Sequence, residues 1–174
     1  MKEIVQEPNP VLRRTAAPVA TKDIGSAKLT KVISDMKELL ATQEDGIAIA
    51  APQIGVSLRI FVVSGKMLKL AEKKYKGDET DMVFINPEIT KLSKEKQEVE
   101  EGCLSVRWKY GMITRAKKAT LKALDENGKP FERGASGLLA QIFQHETDHL
   151  NGILFTDNAY GVKDMPPEEN KNGK

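Results

Sequence analysis

The sequence lacks most of what would mark a membrane, disulfide-stapled or nucleic-acid-binding protein. No apolar run approaches the roughly 18 residues that a membrane-spanning helix requires. The first residues, MKEIVQEPNPVLRR, have no apolar stretch of the kind a secretory signal carries, so a cytoplasmic chain without a membrane partner is expected. The 27 Lys and Arg against 25 Asp and Glu leave a net charge of +2, too even a balance to argue for a specific nucleic acid or an anionic surface. One cysteine excludes an intrachain disulfide framework and leaves Cys103 as a buried small hydrophobe, a free thiol or a ligand. There are only two histidines, and they lie four residues apart, His145 and His149 in QHETDHLNG.

What is present is an ordinary globular mixture, 40% hydrophobic and 30% charged over 174 residues, enough for one domain with a sizeable core. The first 25 residues, with three prolines, are expected to wrap the domain in extended and turn conformations. The stretch 26–43 carries Leu29, Val32, Ile33, Met36, Leu39 and Leu40 at helical spacing, with Ser26 as N-cap. LRIFVVS (58–64) and MVFINPEI (82–89) have the β-rich composition of strands, and the charged segment between them is expected to be a solvated excursion. KQEVEEGCLSV and ATLKALDENGKPFE predict further strands, the second turning at Asn127–Gly128. Residues 136–152 give the strongest helix, capped by Ser136 and ended by Gly152. This order predicts an α+β fold, with antiparallel β-sheets packed around a central C-terminal helix. Residues 1–160 would form a single catalytic domain and 161–174 a polar, loose tail.

On a helix, His145 and His149 fall on one face and can point at one ion, with Glu146 offset by about 100°. This is the H-E-x-x-H arrangement, in which the glutamate handles protons beside a divalent metal. Leu138, Leu139, Ile142, Phe143 and Leu150 imply that much of the helix is buried, so its polar groups need partners. Two histidines leave a catalytic site one protein ligand short. The extended protease pattern would place a third histidine where this chain has Phe155, which cannot bind a metal. Glu168 and Glu169 are poor substitutes in a polar tail after Pro166–Pro167. Cys103, at a strand end, completes a Cys-His-His set with an open fourth position.

Three blocks taken together, GIAIAAPQ (46–53), EGCLS (101–105) and QHETDHL (144–150), resemble the signature motifs of peptide deformylase, in order and separation. The resemblance runs from about VLRRTAAPV to LNGILFTD. It implies hydrolysis of the N-formyl group from formyl-methionine at the start of nascent polypeptides, releasing formate, with the enzyme meeting its substrates at the ribosome. It implies one divalent ion on Cys103, His145 and His149, ferrous iron in the cell, with zinc, nickel or cobalt possible in preparations. Glu146 would be the general acid–base. The side-chain amide of Gln53 and the backbone N–H of Leu104 would face the developing oxyanion. Gly46, Ile47, Ala48 and Gly102 would bind the substrate, the first block pairing with it as an added strand. Ile47, Ile142 and His145 would wall the methionine pocket, and Glu101 and Asp148 would orient ligands unless Asp148 pairs with Arg115.

The chain departs from the family pattern at Ala48, where a second glycine is usual, and after EGCLSV, where Arg107 stands for a proline and Tyr110 lies near an expected arginine. These positions border the expected cleft and bear on substrate preference and turnover. The rival readings are a divergent deformylase of low activity, an HExxH metallopeptidase with a downstream third ligand, and a structural zinc module closed by four protein ligands. The oligomeric state is not legible.

Overall fold

The computed structural model describes residues 2–167. Its eight strands form two antiparallel sheets. The larger has the order β1–β2–β3–β6–β7, from Ala48–Ala50, Ile60–Val63, Met82–Leu92, Lys118–Leu124 and Pro130–Ser136. The smaller has β4 (Lys96–Gly102), β5 (Lys109–Ala116) and β8 (Tyr160–Asp164). Three helices accompany them: α1 (Ala27–Ala41), α2 (Gly65–Ala71) and α3 (Gly137–Leu150). The α+β architecture around a C-terminal helix is as the sequence predicts.

Strand alternation explains where the helices go. Ala50, Phe61, Val63, Phe84, Leu121 and Ala123 point to one face of the large sheet and pack on Leu139, Ala140, Ile142, Phe143 and Leu150 of α3. Ile49, Ile60, Val62, Val83 and Ile85 point the other way, onto Leu29, Val32, Ile33, Met36 and Leu40 of α1. The sheet is therefore covered on both faces, which is why β2 reads as four consecutive buried residues rather than an alternation. Phe61 and Phe84 stack at 4.5 Å, with Phe143 meeting Phe84 edge-on at 5.3 Å. A smaller core of Leu12, Val106, Ile113, Leu154 and Phe155 lies apart, with Val99 and Cys103 packed against it.

Helix ends follow local chemistry. Ser26 Oγ accepts the Leu29 N–H at 3.2 Å, the expected N-cap. Ser136 holds the N-cap position of α3, but its side chain makes no capping bond there. Gly152, at φ +74°, ends α3, and a Cβ there would strike the Arg13 carbonyl. The turn at Asn127–Gly128 is present, with Asp125 Oδ1 accepting from the N–H groups of Asn127 and Lys129.

Three expectations need correction. The charged segment after β2 opens with α2, capped by Ser64 and anchored by fully buried Leu68; one large apolar residue in the core is enough to hold about two turns. β5 falls on the stretch read only as a departure from the family pattern, and it pairs with β4 along seven residue pairs. Finally, β8 pairs with β5 through Lys109↔Asp164 and Tyr110↔Lys163, so the ordered sheet continues four residues into the expected tail. Glu168 and Glu169 lie outside the described residues.

Candidate metal centre

The site assembles where the end of β4, the turn after it, the segment following β1 and α3 converge. EGCLS divides its labour there. Glu101 and Gly102 finish β4, and Cys103 starts a tight turn closed by the Val106 N–H on the Cys103 carbonyl at 3.0 Å. The turn lifts the Cys103 thiol over α3. Helical spacing carries His145 and His149 to the same side, with ring centroids 5.0 Å apart. Ligand atoms of Cys103, His145 and His149 all lie within 4.8 Å of one another. Cys103 Sγ is 3.3 Å from His149 Nε2.

Each group is held from behind. His145 Nδ1 is 2.8 Å from Glu101 Oε2, which leaves its Nε2 free to face the thiol. Glu101 is gripped by both arms of Arg115, Nε to Oε1 at 2.8 Å and Nη2 to Oε2 at 2.9 Å. Arg115 Nη1 donates to Asp148 Oδ2 at 2.7 Å. Of the two expected second partners, Glu101 thus orients a histidine directly, and Asp148 does so only through Arg115. Phe155 is buried and stacks on the His145 ring at 6.3 Å, a wall where the protease pattern has a ligand.

The electrostatics follow from this packing. Burial raises the Glu101 carboxyl, but His145 and Arg115 overcome it and hold it at about 2, so it stays ionised. Burial lowers His145, yet its hydrogen bonds to Cys103 and Glu101 outweigh that and keep it well above its ordinary value. For His149, burial and the nearby His145 outweigh the charge of Glu101 and push it well below its ordinary value. Glu146 is pushed up to about 7, first by burial and then by the charges of Glu101 and Asp148.

A cleft of about 230 Å³ opens above these groups. Gly46, Ile47, Ala48, Gly102, Leu104, His145 and Glu146 all line it. Ile142 and Leu138 line it beside Ile47, an apolar recess at the place expected for methionine. Gln53, buried directly after β1, has its amide fixed by the Ala50 N–H, which donates to Oε1 at 2.8 Å. That bond settles which end of the amide faces the centre: Nε2 points to Ser105 Oγ at 3.2 Å and Cys103 Sγ at 3.6 Å. Of the expected metal, catalytic and substrate-binding residues, all but His149 line this cleft; His149 is buried, and Asp148, expected to orient a ligand, does not line it.

The donor set fits a divalent ion. A cysteine sulfur and two imidazoles come together, the combination that first-row metals of borderline softness accept. Glu146 Oε2 and His149 Nδ1 are buried without a protein partner among the described residues, a costly state for a folded chain that an ion and its water would relieve at Glu146.

The polypeptide deformylase family model matches residues 1–165. The chain belongs to the polypeptide deformylase family. Peptide deformylase 1 of Pseudomonas syringae pv. tomato is 42% identical over 160 residues, covering 92% of this chain and 88% of the relative. A crystal structure of a peptide deformylase from Legionella pneumophila matches at TM-score 0.79 and 42% identity, covering 92% of this chain and 87% of that one. A Met-Ala-Ser-bound class I type b peptide deformylase from Acinetobacter baumannii matches at TM-score 0.80 and 32% identity, covering 91% and 98%. The chain is accordingly a metal-dependent deformylase by family, with Cys103, His145 and His149 as its candidate metal site.

Two contributors were missed in the sequence. Ser105, fully buried, receives the Gln53 amide; its place inside EGCLS was the available signal. Gln6 donates to the Leu104 carbonyl at 2.8 Å across 98 residues, and nothing local to Gln6 marks it.

Proposed function

We propose that this deformylase removes formyl groups from formyl-methionyl peptides, and that Cys103, His145, His149, Glu146, Gln53 and Leu104 perform the reaction. The convergence of the three ligand atoms beneath the free edge of β1 carries this reading. A divalent ion held by Cys103, His145 and His149 would supply positive charge to polarise the formyl carbonyl and to acidify a neighbouring water.

The protein groups then act as follows. Glu146, buried and near neutrality in its proton affinity, accepts a proton as the water oxygen bonds to the formyl carbon. The carbonyl oxygen gains charge opposite Gln53 Nε2 and the Leu104 N–H, two uncharged donors held in place before the reaction. Gln53 is fixed through Ala50 and Ser105, and Gln6 holds the Leu104 carbonyl, on the residue whose N–H is the second donor. The C–N bond breaks, Glu146 returns the proton to the amine, and formate and a free N-terminus result.

The substrate is held by main chain. Ile47 and Ile49 face β2, as the bond from the Ser64 N–H to the Ile47 carbonyl and the pairing Ile49↔Val62 require. Alternation turns the N–H and C=O of Ala48 outward, to the open edge of the sheet. A peptide strand can pair there whatever its side chains, which suits nascent chains of varied sequence. The methyl of Ala48 packs toward the core, so the departure from glycine leaves the pairing groups free. Gly46, Ile47 and Gly102 complete the peptide-binding walls, and Ile47, Ile142 and His145 the methionine pocket. We assign ferrous iron as the cellular ion and the bacterial cytoplasm, at the ribosome, as the place of action. Residues 1–160, with β8 carrying the small sheet on to Asp164, act as one catalytic domain.

Formate release from formyl-Met-Ala-Ser by iron-, nickel- or cobalt-loaded protein is the test. Release is expected, and none with any of the three ions would overturn the reading.

A further inference from the structure

The reaction centre fixes the direction in which a substrate leaves the cleft. Gln53 lies three residues past the end of β1, in the 3₁₀ turn Ala51–Ile54, and its amide reaches within 3.6 Å of Cys103, so the centre lies at the C-terminal end of β1. A peptide whose formyl group sits there, paired with Ala48, runs antiparallel to β1 and exits past Gly46 and Asp45. At that exit the two walls are joined. Arg107, on the turn after EGCLSV, donates from Nη1 to Asp45 Oδ2 at 2.6 Å and from Nη2 to Gln43 Oε1 at 2.8 Å. Its guanidinium lies over the Trp108 ring at 4.5 Å, and its own backbone N–H donates to Gln6 Oε1 at 3.4 Å.

Gln43 and Asp45 belong to the tight turn that feeds β1, closed by the Gly46 N–H on the Gln43 carbonyl at 3.3 Å. A side chain at Gly46 would strike Gln43 Cβ at 2.8 Å, so the turn has no slack. Arg107 therefore holds this turn at two points from across the cleft. The planar fork makes both bonds together, which a lysine ammonium could not do in the same geometry. Asp45, Arg107 and Trp108 all line the cleft.

We propose that Arg107 is a specificity-determining residue: by clasping Gln43 and Asp45 it sets the width of the cleft at its exit and makes the enzyme select peptides of three or more residues over formyl-methionine alone. The proposal rests on the deformylase reading of the site and on the strand pairing at Ala48. The clasp acts where the second and third residues pass, while a lone formyl-methionine ends before reaching it.

The test compares formyl-Met-Ala-Ser with formyl-methionine in the metal-loaded wild type, Arg107→Ala, Asp45→Ala and the double variant. Arg107→Ala is expected to lower kcat/KM for the tripeptide roughly three- to tenfold, through KM, and to leave formyl-methionine within about twofold. Asp45→Ala, on the opposite wall, should reproduce part of the effect, and the double variant should be no worse than Arg107→Ala. Calorimetry with the products gives a readout independent of turnover: Met-Ala-Ser binding should weaken by the same factor, and methionine binding should not. Equal losses for both substrates, no loss for either, or additive losses in the double variant would each overturn the proposal. Loss of the clasp effect with wild-type formate release intact refutes the clasp alone. Absence of wild-type release with the product-binding difference preserved refutes the deformylase reading alone.

Discussion

Glu146 and Glu101 are two buried carboxylates with opposite fates, and the neighbours of each explain why. Glu101 meets a guanidinium and an imidazole and remains charged at about 2. Glu146 has no such partner, and burial takes it to about 7. The first is thereby suited to a fixed anchor and, in the reaction proposed above, the second to carrying a proton. Replacing Glu146 by Gln keeps size and burial but removes the proton-accepting oxygen. Formate release is expected to fall by roughly 10²- to 10⁴-fold with the metal content unchanged, checked by elemental analysis beside the rate. Glu101→Gln leaves His145 without its carboxylate and Arg115 without a bidentate partner. Metal affinity is expected to fall about 10- to 100-fold, measured by competition with a chelator.

At the scale of elements, the site depends on how α3 is fixed to the small sheet. Gln144 does this from inside the metal motif: Oε1 accepts the Ala116 N–H at 2.9 Å, while Nε2 donates to the carbonyls of Ala116 and Ala140 at 3.0 and 2.9 Å. Gln144→Ala strands the buried backbone groups of Ala116 at the end of β5. The cost should be about 2–4 kcal/mol, the penalty for one or two unpaired groups. That corresponds to a drop of roughly 5–15 °C in Tm, read by calorimetry. Arg59, at the other end of the helix, donates to the Leu150 carbonyl at 3.0 Å and closes the C-terminus with a positive group.

The whole molecule is tied by its first residues, which thread past both sheets. The N–H groups of Val5, Glu7 and Ala16 donate to the carbonyls of Gln53, Ser105 and Leu150, so the arm touches each segment that supplies the site. Arg13 joins it to the far end of the chain through Asp157, at 2.6 Å. Burial raises Asp157, but Arg13 and the Leu154 N–H outweigh this and leave it below the usual carboxylate range. A depressed folded pKa contributes stability that is complete above the unfolded value, about 3.9, and is lost as pH falls through the folded one. Asp157→Asn should therefore lower Tm at neutral pH and flatten its decline in acid, with the two proteins converging near the bottom of that limb.

Composition and spacing by themselves determined the class of the fold, the two main helices, the histidine pair with its glutamate and, through Phe155, the need for a ligand from elsewhere. These are local properties: a 3.6-residue period and a cap are written within a few residues of where they act. The same holds for Cys103 and Gln53, which short motifs mark. Only the tertiary structure decided that Asp148 pairs with Arg115, that Gln6 fixes Leu104, and that Arg107 crosses to Asp45. It also decided that β5 and β8 are strands, since their pairing depends on residues about 50 positions apart. Such contacts join side chains and edges distant in sequence, and no local pattern encodes them until the chain has closed around α3.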